Sequence, residues 1–162
     1  MSLDVRGIVL VIDRSGPALV HAWLGAMYQD GTDGLIGWID LEPAVRPPRD
    51  DGSRDIEIVL ETGALEPGPV LGAHVGACAA RIRDALERLP GLTRYALEHA
   101  PAGWAGYYAS QPGPPLPDRL FLDGIRVSEQ LLVSLDFDVG DLDQLTLRLD
   151  REGAAERVFL TP

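Results

Sequence analysis

Leu71-Gly-Ala-His-Val75-Gly-Ala-Cys78-Ala-Ala-Arg-Ile82-Arg-Asp-Ala-Leu86-Glu-Arg-Leu89 places an apolar residue every three or four positions. That spacing puts Leu71, Val75, Cys78, Ile82, Leu86 and Leu89 on one side of a helix, while Arg81, Asp84, Glu87 and Arg88 fall elsewhere. Pro67, Gly68 and Pro69 precede the run. Pro90-Gly91 should end it, because proline breaks the hydrogen-bond ladder and glycine accepts cap geometry. A shorter helix is expected over Leu92 to Ala100, and Pro101 opens a third piece through Tyr108.

On both sides of this block the period changes from helical to two. Gly7 to Ile12 is a β-branched run, Ala18 to Ala26 and Leu35 to Leu41 alternate, and Asp55-Ile-Glu-Ile-Val-Leu-Glu61 sets acids against aliphatics. Turn residues at Asp13 to Gly16, Gln29 to Gly34 and Pro47 to Gly52 separate these four strands. Downstream, Gln111-Pro-Gly-Pro-Pro-Leu-Pro117 reads as an extended connector, with a proline-recognition motif as its weaker alternative. Arg119 to Val127 follows, with Gly124 as a bulge or turn. Leu131 to Val139, Leu145 to Leu149 and Glu156 to Leu160 complete a second meander. Strands, then helices, then strands imply an α+β fold. Its antiparallel sheet or sheets come from the N- and C-terminal meanders, with two or three central helices on one face. The expected domain is single, spanning 1–162.

Composition narrows the function classes. The chain has 162 residues, 46% of them hydrophobic, which is enough for a core without a disulfide or metal staple. Cys78 is the one cysteine, so no intrachain disulfide can form and a thiolate zinc site is implausible. No apolar run reaches the length of a membrane span, and Asp13 follows the first apolar run where a cleavage site would stand; the expected location is cytoplasmic. The net charge of −11 argues against nucleic acid; solubility is the first explanation for it, and steering of a basic protein partner the functional alternative. Residues 1–69 carry 12 acids and 5 arginines, and residues 118–162 carry 10 acids and 5 arginines. The helical middle has 3 acids and 4 arginines and is near neutral.

The most suggestive string is Asp136-Phe-Asp138-Val-Gly140-Asp141-Leu-Asp143. It fails the calcium-loop pattern, since glycine stands fifth and Leu147 occupies the twelfth place. A solvated hairpin with Asp136 and Asp138 on its wet face accounts for it, and an acidic contact surface including Asp141 and Asp143 is the functional alternative. Trp104, Tyr107 and Tyr108 could anchor a partner, or could pin their segment onto the sheet. Cys78 sits in the apolar seam of the helix with His74 four residues before it; a core role outweighs a nucleophile. His21 and His99 read as structural. No serine lies in a nucleophile elbow, and Gly31-Thr-Asp-Gly34 lacks the lysine of a phosphate loop. No catalytic residues, metal or cofactor are expected, and no enzyme class is supported.

In its C-terminal half the sequence resembles a bacterial family of unknown-function domains related to immunity proteins of polymorphic toxin systems. The residues that carry this are Leu92 to Tyr108, Leu135-Asp-Phe-Asp138, Asp143-Gln144 and Leu149-Asp-Arg-Glu-Gly153. The net charge and the lack of a catalytic constellation point to a non-catalytic acidic binding protein, and the resemblance implies an immunity-type protein that masks a basic partner. The alternative is a small-molecule-binding protein or unclassified enzyme, with a pocket between sheet and helices near Trp23, Trp38 and Trp104. Self-association through an exposed edge strand is compatible with either.

Overall fold

The computed structural model describes residues 2–5, 8–11, 16–41, 54–139 and 144–162. The turns expected at 13–15, 47–52 and 140–141 therefore lie outside the described residues. Among the described residues six strands precede the helices: β1 (Ser2–Val5), β2 (Ile8–Val11), β3 (Leu19–His21), β4 (Gly25–Asp30), β5 (Gly34–Asp40) and β6 (Asp55–Glu61). Helices α1 (Pro69–Glu87), α2 (Leu89–Glu98), α3 (Ala102–Ser110) and α4 (Leu116–Arg119) follow. Strands β7 (Phe121–Val127), β8 (Val133–Asp138), β9 (Gln144–Leu149) and β10 (Ala155–Thr161) close the chain.

The fold is α+β, as the element order implies. Both meanders join one eight-stranded sheet, ordered β10-β9-β8-β7-β6-β5-β4-β3, while β1 and β2 pair separately. All neighbours in the large sheet are antiparallel except β6 and β7, which run parallel from Glu57↔Gly124 to Leu60↔Val127. Alternation in sequence shows which residues share a face but says nothing about strand direction. Direction follows from the connection: a parallel neighbour needs a crossover of a dozen residues or more, and the helices between β6 and β7 supply it.

Several expected boundaries move: β1 adds a strand ahead of the expected four, and Arg119 ends α4 instead of opening a strand. Ala18 to Ala26 is two strands, not one, because Ala22 to Leu24 form a turn. His21 Nδ1 accepts the N–H groups of Trp23 and Leu24 at 3.1 and 3.2 Å, and Gly25 adopts φ +76°, which glycine takes without strain. At the other break, α1 stops at Glu87 and α2 begins at Leu89, so Pro90 sits in the first turn of the next helix. There its missing N–H costs nothing. The proline-rich connector ends in the single helical turn of α4, and the bulge near Gly124 is real, since pairing shifts between Leu122 and Gly124.

One sheet face is the core. Leu35 and Ile39 of β5, Ile56, Ile58 and Leu60 of β6, Ile125 and Val127 of β7 and Leu135 of β8 are buried there. Against them lie Leu71, Val75, Cys78, Ala79, Ile82 and Ala85 of α1, with Leu92 and Ala96 of α2. Burying each large aliphatic contributes about 1.5–3 kcal/mol, so this layer dominates stability. Gly37 is required within it: a Cβ there would meet Met27 Sδ at 2.5 Å and the Ala26 carbonyl oxygen at 3.0 Å. Gly37→Ala should lower unfolding stability in urea by about 1–3 kcal/mol through overpacking. Unchanged stability would mean that β4 and β5 are not packed this closely.

Candidate functional site

The opposite sheet face carries the polar half of each alternating strand. Register fixes two rows across it. One runs Trp38↔Glu57↔Gly124↔Asp136↔Thr146, from β5 to β9. The other runs Tyr28↔Ile36↔Val59↔Arg126↔Ser134↔Arg148↔Arg157, from β4 to β10. Asp40 and Asp55 pair beyond Trp38, and Asp30, Gly34 and Glu61 align at the other end. Carboxylates therefore collect over β4 to β6, and arginines over β7 to β10.

Among the acids sits an apolar island. Trp38 is 39% exposed, its ring 6.4 Å from that of Tyr28, and Ile36 and Val59 are half-buried beside them. An exposed tryptophan on the polar side of a strand needs an explanation that a core tryptophan does not.

Asp136 departs from the sequence expectation. It is not on a solvated hairpin face but buried, at 7% exposure. Arg126 donates to it twice, through Nε and Nη2, each at 3.0 Å. Thr146 Oγ1 donates at 2.7 Å and lies 2.8 Å from Thr161 Oγ1. Across β7, β8, β9 and β10 these bonds tie strands together, and they are charge-assisted where Arg126 takes part. Asp138 is half-buried opposite Phe121, while Asp141 and Asp143 lie outside the described residues.

The aromatic cluster divides. Trp104 and Tyr108 are buried with ring centroids 4.9 Å apart, so they pin α3 to the core; Tyr107 is 54% exposed. Arg119 Nη2 donates to the Tyr108 carbonyl oxygen at 2.6 Å and fixes α4 against α3. Cys78 has no exposed surface, and burial pushes its thiol up to about 12, which removes the thiolate a nucleophile needs. His74 Nε2 lies 3.6 Å from Cys78 Sγ and 2.8 Å from the Glu61 carbonyl oxygen. A carbonyl only accepts, so Nε2 carries the proton and cannot draw one from the thiol.

The three tryptophans do not line one pocket. Trp23 stacks under Arg83 at 5.3 Å, Trp104 is on α3, and Trp38 is on the far side of the sheet. A cleft of about 320 Å³ instead opens between β3 and the start of α1, lined by Leu19, Val20, His21, Pro67, Leu71 and Val75. Among the described residues, no group of three or more His, Cys, Asp or Glu could hold a metal ion, and no helix is long and apolar enough to cross a membrane. Tyr28 and Glu57 are residues the sequence argument did not select; it gave Trp38 to a pocket with Trp23 and Trp104, and Gly124 only to a bulge or turn. The signal for Trp38 was present: Leu35 and Ile39 point inward, so Trp38 between them and Asp40 had to point out.

Glu57 shows the strain of this arrangement. Its carboxyl is held above the usual range, first by burial, then by Asp123, Asp30 and Asp136, with Arg126 opposing. The folded state therefore holds this proton more tightly than the unfolded chain does. Stability from Glu57 is complete at pH below its unfolded value and is lost as pH rises through its folded value. Thermal melting across that range should show Glu57→Gln overtaking the wild type as pH increases. A wild type that stays more stable than Glu57→Gln at neutral pH would contradict the carboxylate crowding.

No protein-family model, curated protein or solved structure matches the chain.

Proposed function

We propose that this chain is an acidic protein-binding module that receives a basic partner on its open sheet face, as an immunity protein masks a toxin. One observation carries the reading: a large, exposed aromatic at Trp38 stands among carboxylates on a sheet face distinct from the core. Exposed aromatics anchor protein contacts because they bury much area for little lost side-chain freedom. The acids around Trp38 speed encounter with a basic surface and reject acidic ones. Net charge reinforces this at long range, in keeping with the resemblance of the C-terminal half to immunity-related domains.

The cleft between β3 and α1 favours a second reading, in which a small apolar molecule is the ligand. Its volume of about 320 Å³ lies at the lower end of small-molecule sites.

Affinity capture from the producing cells, with native mass spectrometry of what is retained, separates the two. The expected result is a basic protein that high salt releases and that a Trp38→Ser/Asp40→Asn double variant fails to retain. Retention of a small molecule alone, unaffected by the double variant, would replace the first reading with the second. Recovery of the same protein by the variant would also defeat it.

A further inference from the structure

Within the open face, the row Trp38–Glu57–Gly124 has the form of a receptor for one side chain. Trp38 offers an exposed aromatic face and Glu57 a carboxylate beside it. The next position has no side chain at all: a Cβ on Gly124 would come within 3.3 Å of the Glu57 carbonyl oxygen and 4.0 Å of Asp136 Oδ2. Without a side chain at Gly124 the row is low between Glu57 and Asp136, and the Arg126–Asp136 ion pair flanks it. A flat cation suits the Trp38–Glu57 pair better than a compact one, because it can lie on an indole and give two parallel N–H groups to one carboxylate.

We infer that Trp38, Glu57 and Gly124 form the anchor for an arginine side chain of the basic partner, stacked on the indole and paired with the Glu57 carboxylate. This rests on the open face being the binding surface. Charge complementarity selects the occupant. Glu57 is faced by Asp30 from β4, Asp123 and Arg126 from β7 and Asp136 from β8. Arg126 already serves Asp136 through two bonds, so the balance among these described residues is negative. An arriving guanidinium relieves the crowding that raises the Glu57 carboxyl, and it binds best once Glu57 has lost its proton. Affinity should therefore grow as pH rises through that range.

The probe is an acetylated, amidated hexa-arginine peptide, titrated against the full chain at fixed ionic strength and followed by tryptophan fluorescence and calorimetry. Wild type should bind one peptide with a signal that Trp38→Phe removes. Glu57→Gln, which keeps shape and should fold at least as well at neutral pH, should weaken binding about tenfold, or about 1.4 kcal/mol. Gly124→Ala should weaken it by filling the low point of the row, and hexa-lysine should bind less tightly than hexa-arginine. Equal affinity for wild type and Glu57→Gln, absence of saturable binding, or stoichiometric displacement of the peptide by Ca²⁺ at constant ionic strength would each overturn the anchor. If a basic partner is captured through Trp38 while hexa-arginine is ignored, the anchor fails and the binding function stands. If the peptide binds through Glu57 and no partner exists, the anchor stands and the function fails.

Discussion

Between β6 and β7 the chain returns beside itself in the same direction after the four helices, and everything else is arranged about that seam. Ile58 and Leu60 on one strand lie level with Ile125 and Val127 on the other, all four without exposed surface. Parallel pairing cannot be closed by a tight turn, so the long connection is a consequence of the seam. Because that connection folds as helices with an apolar stripe, it covers the aliphatic side of the strands it joins.

The same seam assembles the polar side. Glu57 comes from the first meander and Gly124, Arg126 and Asp136 from the second; they are neighbours only because β6 meets β7. Acids separated by more than sixty positions in the chain thereby repel one another across a few strands, and one arginine is shared among them. The stable half of this face, at Arg126, Asp136 and Thr146, is bonded into the sheet. The other half, around Glu57 and Trp38, carries an excess of acids among the described residues, and the proposed anchor rests on it.

Much of the architecture was legible from residue order because periodicity reports burial directly. Leu71, Val75, Cys78 and Ile82 are buried as their spacing requires, and the two meanders lie where alternation places them. The parallel seam was not legible, since a strand with period two looks the same in either direction. Nor was the fate of Asp136: alternation put it on the polar face, and only pairing with Arg126 on another strand buries it. Trp104 and Trp38 illustrate the two outcomes for an aromatic. Trp104 entered the core from a glycine-containing helix, whereas Trp38 stayed out because inward-facing Leu35 and Ile39 fix its parity. A site whose members come from β5, β6 and β7 has no signature in any short string.

Native-state hydrogen exchange tests the seam most directly, because it reads opening free energy strand by strand. The amides of β6 and β7 should exchange slowest, and with rising denaturant those of β4, β5, β8 and β9 should converge on the same opening free energy. If β7 to β9 keep their protection after β4 to β6 have lost theirs, the meanders are separable. The parallel pair would then not be the interaction that makes one face of two.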